Sequence, residues 1–259
     1  MEWLKRRLRG TLLHRLLRRG AEQRSSGPET AVADQSAAYD RQTVEVMRRL
    51  LHPDSSCIDL GAHRGAILQH MVAIAPAGTH HAFEPIPHLA AELRQRFPRV
   101  RVHQVAVADS AGQTDFQYVE NAPAYSGLRR RLYDRPDPIV ITMSVTAVAL
   151  DDVIPADQAI AFMKIDIEGG EYHALKGAVN TIRRSRPAIV FEASSRSTGQ
   201  YGVTATDMYD LITQTFEYQV STMSRWLNQL DPFALREFCS NWDKGPEYYF
   251  IATPVSMRA

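Results

Sequence analysis

The chain has 259 residues, 44% hydrophobic and 23% charged, with a formal net charge of +1; this is ordinary globular composition for one α/β domain with appendages. Seven of its 30 Lys and Arg fall within residues 1–20 against one acid, Glu2, so acids outnumber bases over the rest and a nucleic-acid-binding body is excluded. The two cysteines, Cys57 and Cys239, form no disulfide framework and fit a reducing, cytoplasmic setting.

Leu4, Leu8, Leu12, Leu13, Leu16 and Leu17 recur at helical spacing with arginines between them. The segment lacks the run of about 18 apolar residues that spans a bilayer. It also lacks the apolar core and cleavage site of a secretory signal. Two expectations stand for residues 1–19: a basic amphipathic helix resting on the anionic inner face of a membrane, or a cationic helix packed on its own domain or a partner subunit. Residues 20–36, polar and small around Gly27-Pro28, read as a linker, which divides the chain into 1–36 and a globular domain at 37–259. Tyr39, Val44, Met47, Leu50 and Leu51 mark a helix expected to cover a sheet edge and approach the site.

The stretch Cys57 to Gly65 reads as strand, tight turn and helix start: a short apolar run, Asp59, then Gly61-Ala62-His63-Arg64-Gly65. A second strand, Thr79–Phe83, runs into Glu84-Pro85. Its acid lies about twenty positions beyond the glycine turn, where a nucleotide-binding βαβ unit reaches ribose hydroxyls. The competing reading is a solvated glutamate before a turn. Leu89–Phe97 reads as a helix, Val100–Val107 as a third parallel strand ending near an adenine edge at Gln104-Val105-Ala106, and Thr114–Val119 as an extra strand.

Residues 121–137 form a long basic loop with Ser126, Arg129, Arg130 and Arg131, which either hold an anionic substrate or make a solvated face. Ile139–Val148 is strand-like. Ala159–Asp166 is the fourth parallel strand, feeding Glu168-Gly169-Gly170-Glu171 and a helical pattern from Tyr172 to Ile182. Pro187–Glu192 is the fifth, and Phe216–Val220 and Tyr248–Ala252 are an antiparallel pair at the far edge. Between that pair, Trp226, Leu227, Phe233 and Phe238 either line an acceptor pocket or cover the core. Asp59, Glu84, Asp166 and Glu192 all fall near the carboxyl edge of the predicted sheet. Burying unpartnered carboxylates is costly, so four together point to a site.

A nucleotide-type site without Gly-x-Gly-x-x-Gly suits S-adenosylmethionine better than a dinucleotide, and no Walker-type, nucleophile-elbow or zinc motif is present. At this point Ile58–Gly65, Ala82–Pro85, Leu150-Asp151 and above all Lys164-Ile165-Asp166-Ile167-Glu168-Gly169-Gly170-Glu171 resemble the FkbM family of S-adenosylmethionine-dependent methyltransferases over roughly residues 55–195. The resemblance implies a Rossmann-like class I fold, a seven-stranded mostly parallel sheet with helices on both faces, and substrate-side insertions near 120–138 and 223–245. It implies O-methylation of a sugar, glycolipid or natural-product hydroxyl. One departure is His63, where the family usually has asparagine.

Carried over by position, Gly61, Ala62, His63 and Gly65, with Asp59 beneath them, would serve the methionine end of the cofactor. Glu84 and Pro85 would serve the ribose, Val105 and Ala106 the adenine, and Asp166 the sulfonium. Ser126, Arg129, Arg130, Glu168 and Glu192 are the expected acceptor contacts. Asp166 or Glu192 is the expected base, with His63 and His173 behind them. A divalent metal between facing carboxylates is the disfavoured alternative, because a hard cation wants several oxygen ligands. An oligomer is compatible with the sequence. The competing functions are a nicotinamide oxidoreductase and a non-catalytic, membrane-tethered binding module.

Overall fold

The computed structural model describes residues 28–131, 133 and 137–257. The chain divides into two compact units, 1–38 and 39–259. In the first, residues 28–38 belong to helix α1 (Pro28–Leu50). Residues 28–36 are therefore helix and not linker. Proline at the first helical position and an alanine-rich sequence favour that state over the single Gly-Pro turn signal. The expected basic helix at 1–19 and residues 20–27 lie outside the described residues.

The second unit carries the strands β1 (Cys57–Leu60), β2 (His81–Phe83), β3 (Arg101–His103), β4 (Ala106–Val107), β5 (Gly112–Val119), β6 (Val140–Val148), β7 (Phe162–Ile165), β8 (Ala188–Glu192), β9 (Tyr218–Thr222) and β10 (Tyr249–Pro254). Seven of them form the main sheet in the order β3-β2-β1-β7-β8-β10-β9. The first five in that order are mutually parallel, and β10 runs antiparallel to both β8 and β9. The helices that follow α1 are α2 (Leu68–Ile74), α3 (Pro87–Arg96), α4 (Glu171–Lys176), α5 (Val179–Ser185), α6 (Ala205–Asp210), α7 (Met223–Leu227) and α8 (Leu235–Lys244).

Alternate strand residues serve opposite faces of the sheet. Cys57, Phe162, Val190 and Ile251 pack with Val46 and Met47 of α1 and Met71 of α2. Their neighbours Ile58, Met163, Ile189 and Phe250 pack with Leu175, Ile182, Met208 and Phe238. With both faces covered, the strands are near-continuous apolar runs, which is what made them legible. From Tyr39 onward α1 lies on a face of the sheet, not on the expected edge, because Tyr39, Val46 and Met47 are all buried against it.

Other expectations are corrected. The run Val100–Val107 is two strands: the chain leaves the main sheet after His103, and Ala106-Val107 joins a separate three-stranded sheet, β4-β6-β5. The alternation of Val100 and Val102 shifts phase to Val105 and Val107 across His103-Gln104, where the chain changes sheet. The helix expected through 172–182 breaks at Gly177. A Cβ there would lie 2.1 Å from the Ala108 carbonyl oxygen, so backbone meets backbone at that point. Insertion 223–245 forms α7 and α8, and of the two readings of its side chains the core-covering one holds: Trp226 and Phe238 are buried, with Leu227 and Phe233 packed against the core.

Candidate functional site

A cleft with about 560 Å³ of open space lies beyond the carboxyl ends of β1, β2 and β7, the edge at which open α/β sheets bind ligands. One wall is the turn after β1. Gly61 has φ of +76° there, and a Cβ on it would fall 1.9 Å from the Asp166 carbonyl oxygen, so only glycine allows the turn to lie against the β7 loop. The Gly61 and Ala62 amides both donate to the Phe83 carbonyl, at 3.0 and 3.1 Å. His63 follows at φ of +47°, a left-handed conformation that histidine adopts more readily than most side chains.

Glu84 stands at the floor, buried, with one backbone donor on each oxygen: His63 N–H to Oε2 and Ile86 N–H to Oε1, both at 2.9 Å. Burial pushes its carboxyl up to about 7 although these donors pull the other way. Phe83, Ile86, Val105, Val107 and Phe116 make the adjoining wall apolar. His63 Nε2 is buried without a hydrogen-bond partner, and burial, then the Arg64 and Lys164 charges, lower the pKa of the imidazole.

A polar row crosses the sheet beside the cleft. Asp59 of β1 is in register with Lys164 of β7, and Glu192 of β8 with Tyr249 of β10. Lys164 Nζ lies 3.7 Å from Asp59 and 3.1 Å from Asp166, and the Tyr249 hydroxyl donates to Asp166 Oδ2 at 2.6 Å. Burial alone would raise the Asp166 carboxyl, but the Lys164 ammonium, the Tyr249 hydroxyl and a hydrogen bond with Glu192 outweigh it and hold the group below the usual range. Burial, then the charges of Glu168 and Asp166, push Glu192 well above that range. Burial opposes the charge on Lys164, yet Asp166 and Asp59 keep its pKa above normal, so it is an ammonium and not a base.

The loop after β7 closes the cleft on the other side. Glu168 has φ of +62° and pairs with Arg131, whose guanidinium also lies 5.2 Å from the Tyr125 ring centroid. Burial raises Glu168 to about 8 in spite of Arg131. Glu171, 0% exposed, gathers the Ile167 and Gly169 amides at 3.1 and 3.0 Å and the Thr198 hydroxyl at 3.2 Å.

Of the residues expected from sequence, Gly61, His63, Glu84, Pro85, Val105, Ala106, Ser126, Asp166 and Glu168 line the cleft together. Asp59, 1% exposed, stands behind it against Lys164. Ala62 is core and Gly65 packs on Phe97, so neither lines the wall. Glu192 is beside the cleft rather than in its lining. Arg129 and Arg130 are exposed, Arg129 lying 5.4 Å from the Tyr201 ring centroid. His173 pairs with Asp109 at 2.9 Å and does not line the cleft. Residue-by-residue reading passed over Tyr249 and the pairing of Lys164. The alternation of β10 against β8, which sets Tyr249 opposite Glu192, is the signal that finds the tyrosine.

The wall chemistry suits a nucleoside: an apolar slot, a carboxylate with a lone pair to spare on each oxygen, and an unpartnered imidazole nitrogen. Among the described residues no group of three or more His, Cys, Asp or Glu is arranged to hold a metal ion, and no helix is long and apolar enough to cross a membrane. Sheet order, the single antiparallel strand and the position of the cleft are those of the class I methyltransferases that depend on S-adenosyl-L-methionine. The chain belongs to the FkbM family among them: the methyltransferase FkbM domain matches residues 59–220.

The crystal structure of methyltransferase FkbM from Methylobacillus flagellatus KT is similar over 82% of this chain and 47% of that one, with 20% identity and a TM-score of 0.51. This chain thus spans about half the length of that relative. A TehB-like SAM-dependent methyltransferase from Corynebacterium glutamicum is similar at 10% identity over 86% and 96% of the two chains, TM-score 0.41. The plantazolicin methyltransferase BpumL, in complex with a pentazolic desmethylPZN analogue and SAH, is similar at 8% identity over 88% and 90%, TM-score 0.44. No curated protein sequence gives a significant match.

Proposed function

We propose that the protein transfers a methyl group from S-adenosylmethionine to a hydroxyl of a polyhydroxylated acceptor such as a sugar or glycolipid. The observation that carries the reading is the carboxyl pair beside the cleft, Asp166 with a lowered pKa and Glu192 with a raised one. When bound, S-adenosylmethionine supplies a methyl group on a cationic sulfonium. Asp166 faces that cation as a carboxylate. Glu84 accepts the ribose hydroxyls with the lone pairs its backbone donors leave free. Val105, Ala106 and Phe116 would hold the adenine in their apolar slot.

The acceptor hydroxyl must lose its proton as it attacks, and Glu192 is the base. Burial raises the proton affinity of its carboxylate form, which favours that role. Ser126, Glu168 and Arg131 bound the acceptor end, while Arg129 and Arg130 reach a larger, anionic portion outside the cleft. Much of the rate comes from holding two bound reactants in line. Peripheral contact with an anionic membrane through residues 1–19 and a cytoplasmic setting belong to the same reading, supported by the cationic leucine pattern of that segment.

Titration of S-adenosylmethionine, S-adenosylhomocysteine and NAD in parallel tests the cofactor side, and methyl-labelled cofactor with a panel of glycans and glycolipids tests the acceptor side. Label on a sugar oxygen is expected. Binding of NAD alone, or label confined to nitrogen acceptors, overturns the proposal.

A further inference from the structure

Tyr249 falls outside the residues matched by the family domain, 59–220, yet its side chain reaches Asp166, which lines the cleft. It opposes Glu192 in the β8–β10 register, and its hydroxyl donates to Asp166 Oδ2 at 2.6 Å. The ring is fixed from the other side by Tyr39, 4% exposed, whose ring is stacked at a centroid separation of 4.7 Å and an interplanar angle of 27°. Tyr39 in turn accepts the Tyr248 N–H at 3.2 Å. The phenol therefore has one direction in which to point.

We propose that Tyr249 is the positioning residue for Asp166: its hydroxyl and the Lys164 ammonium share one carboxylate oxygen, and the Glu192 side chain hydrogen-bonds the same carboxyl from β8. This rests on the reading of the cleft as the S-adenosylmethionine site. A hydrogen bond to the ionised form of a carboxyl stabilises that form. Tyr249 thereby keeps Asp166 an anion where a cationic sulfonium is to be bound. Lys164 faces Asp59, Asp166 and, from α1, the half-buried Asp40, so its charge is divided among three acids and does not replace the phenol.

The test is Tyr249→Phe, which keeps the ring and its stack and deletes only the donor. Affinity for S-adenosylmethionine is followed by calorimetry across a pH series, with thermal unfolding as the control for folding. The expected result is an unchanged alkaline plateau and an acid limb displaced upward by about one pH unit, the shift that loss of one charged hydrogen bond gives. An equal loss of affinity at every pH marks mere packing support and overturns the proposal, as does an unshifted limb. If the variant fails to fold, isotopically labelled tyrosine decides. The Tyr249 ring resonance must move between the wild type and Asp166→Asn, and a fixed resonance overturns the assignment. Failure of the underlying reading has a different mark, the absence of S-adenosylmethionine binding by the wild type at any pH.

Discussion

The backbone N–H of His63 donates to Glu84 Oε2 at 2.9 Å, so the turn after β1 and the acid after β2 are one structure. The second Glu84 oxygen takes the Ile86 N–H, which starts α3. Glu84→Ala removes both acceptors and leaves two amides unpaired near the cleft floor. The expected cost is about 3 kcal/mol in folding stability, at the usual range for stranded buried donors, together with at least tenfold weaker S-adenosylmethionine binding. Urea unfolding and calorimetry check the two effects separately. Unchanged cofactor affinity removes Glu84 from the ribose assignment.

Gly61→Ala is expected to be more damaging than any ordinary loop substitution. The new methyl meets the Asp166 carbonyl and the backbone is already at positive φ, so either the turn or the β7 loop must move. A loss of about 3 kcal/mol or more follows from such strain, and cofactor binding should fall with it because the displaced atom belongs to Asp166. A variant of normal stability would show that the turn can relax independently of β7.

Lys164→Met leaves Asp59 and Asp166 facing each other without their cation. Removing one partner of a buried ion cluster costs about 3–5 kcal/mol. Adding Asp59→Leu should restore part of that loss, because the acid at 1% exposure no longer needs a counter-charge. Denaturant midpoints of the single and double variants test this. No recovery in the double variant would mean that Lys164 acts through packing alone.

The buried glutamates make stability depend on pH. Burial holds Glu171 up at about 7 in the folded chain, against 4.5 when exposed. Between those values the folded state binds a proton that the unfolded state does not. The contribution of Glu171 is therefore full below about pH 4.5 and is lost as pH rises through about 7. The stability of wild type relative to Glu171→Gln should fall over that interval; a constant difference rejects the assignment. His81, pushed down to about 4 by burial, acts in the opposite sense below 6.5, so the comparison is between variants and not on the wild type alone.

Much of the architecture was legible because the parallel strands are buried on both faces and appear as plain apolar runs ending in acids. Glu84 and Asp166 could be placed for that reason, and Lys164–Glu171 carried the family. Legibility failed where the cause is not local. Nothing in Val100–Val107 tells that Ala106 pairs with Ala147 in another sheet. Asp59 resembles the other three acids in sequence, yet it sits inside its strand against Lys164, a fact set by register between β1 and β7. The tether from Tyr249 to Asp166 joins residues 83 positions apart and exists only once β10 has its neighbours.

Strand β10 follows β9 in the chain but lies between β8 and β9 in the sheet. A nascent polypeptide emerging from the ribosome can dock β1, β2, β3, β7 and β8 in order of synthesis, whereas β9 has no partner until Pro254 has cleared the exit tunnel. The tyrosine that orients the site arrives with that same segment. Competence to hold the cofactor is consequently deferred until β10 is in place, and a ribosome stalled before residue 249 carries a cleft that lacks the Tyr249–Asp166 hydrogen bond.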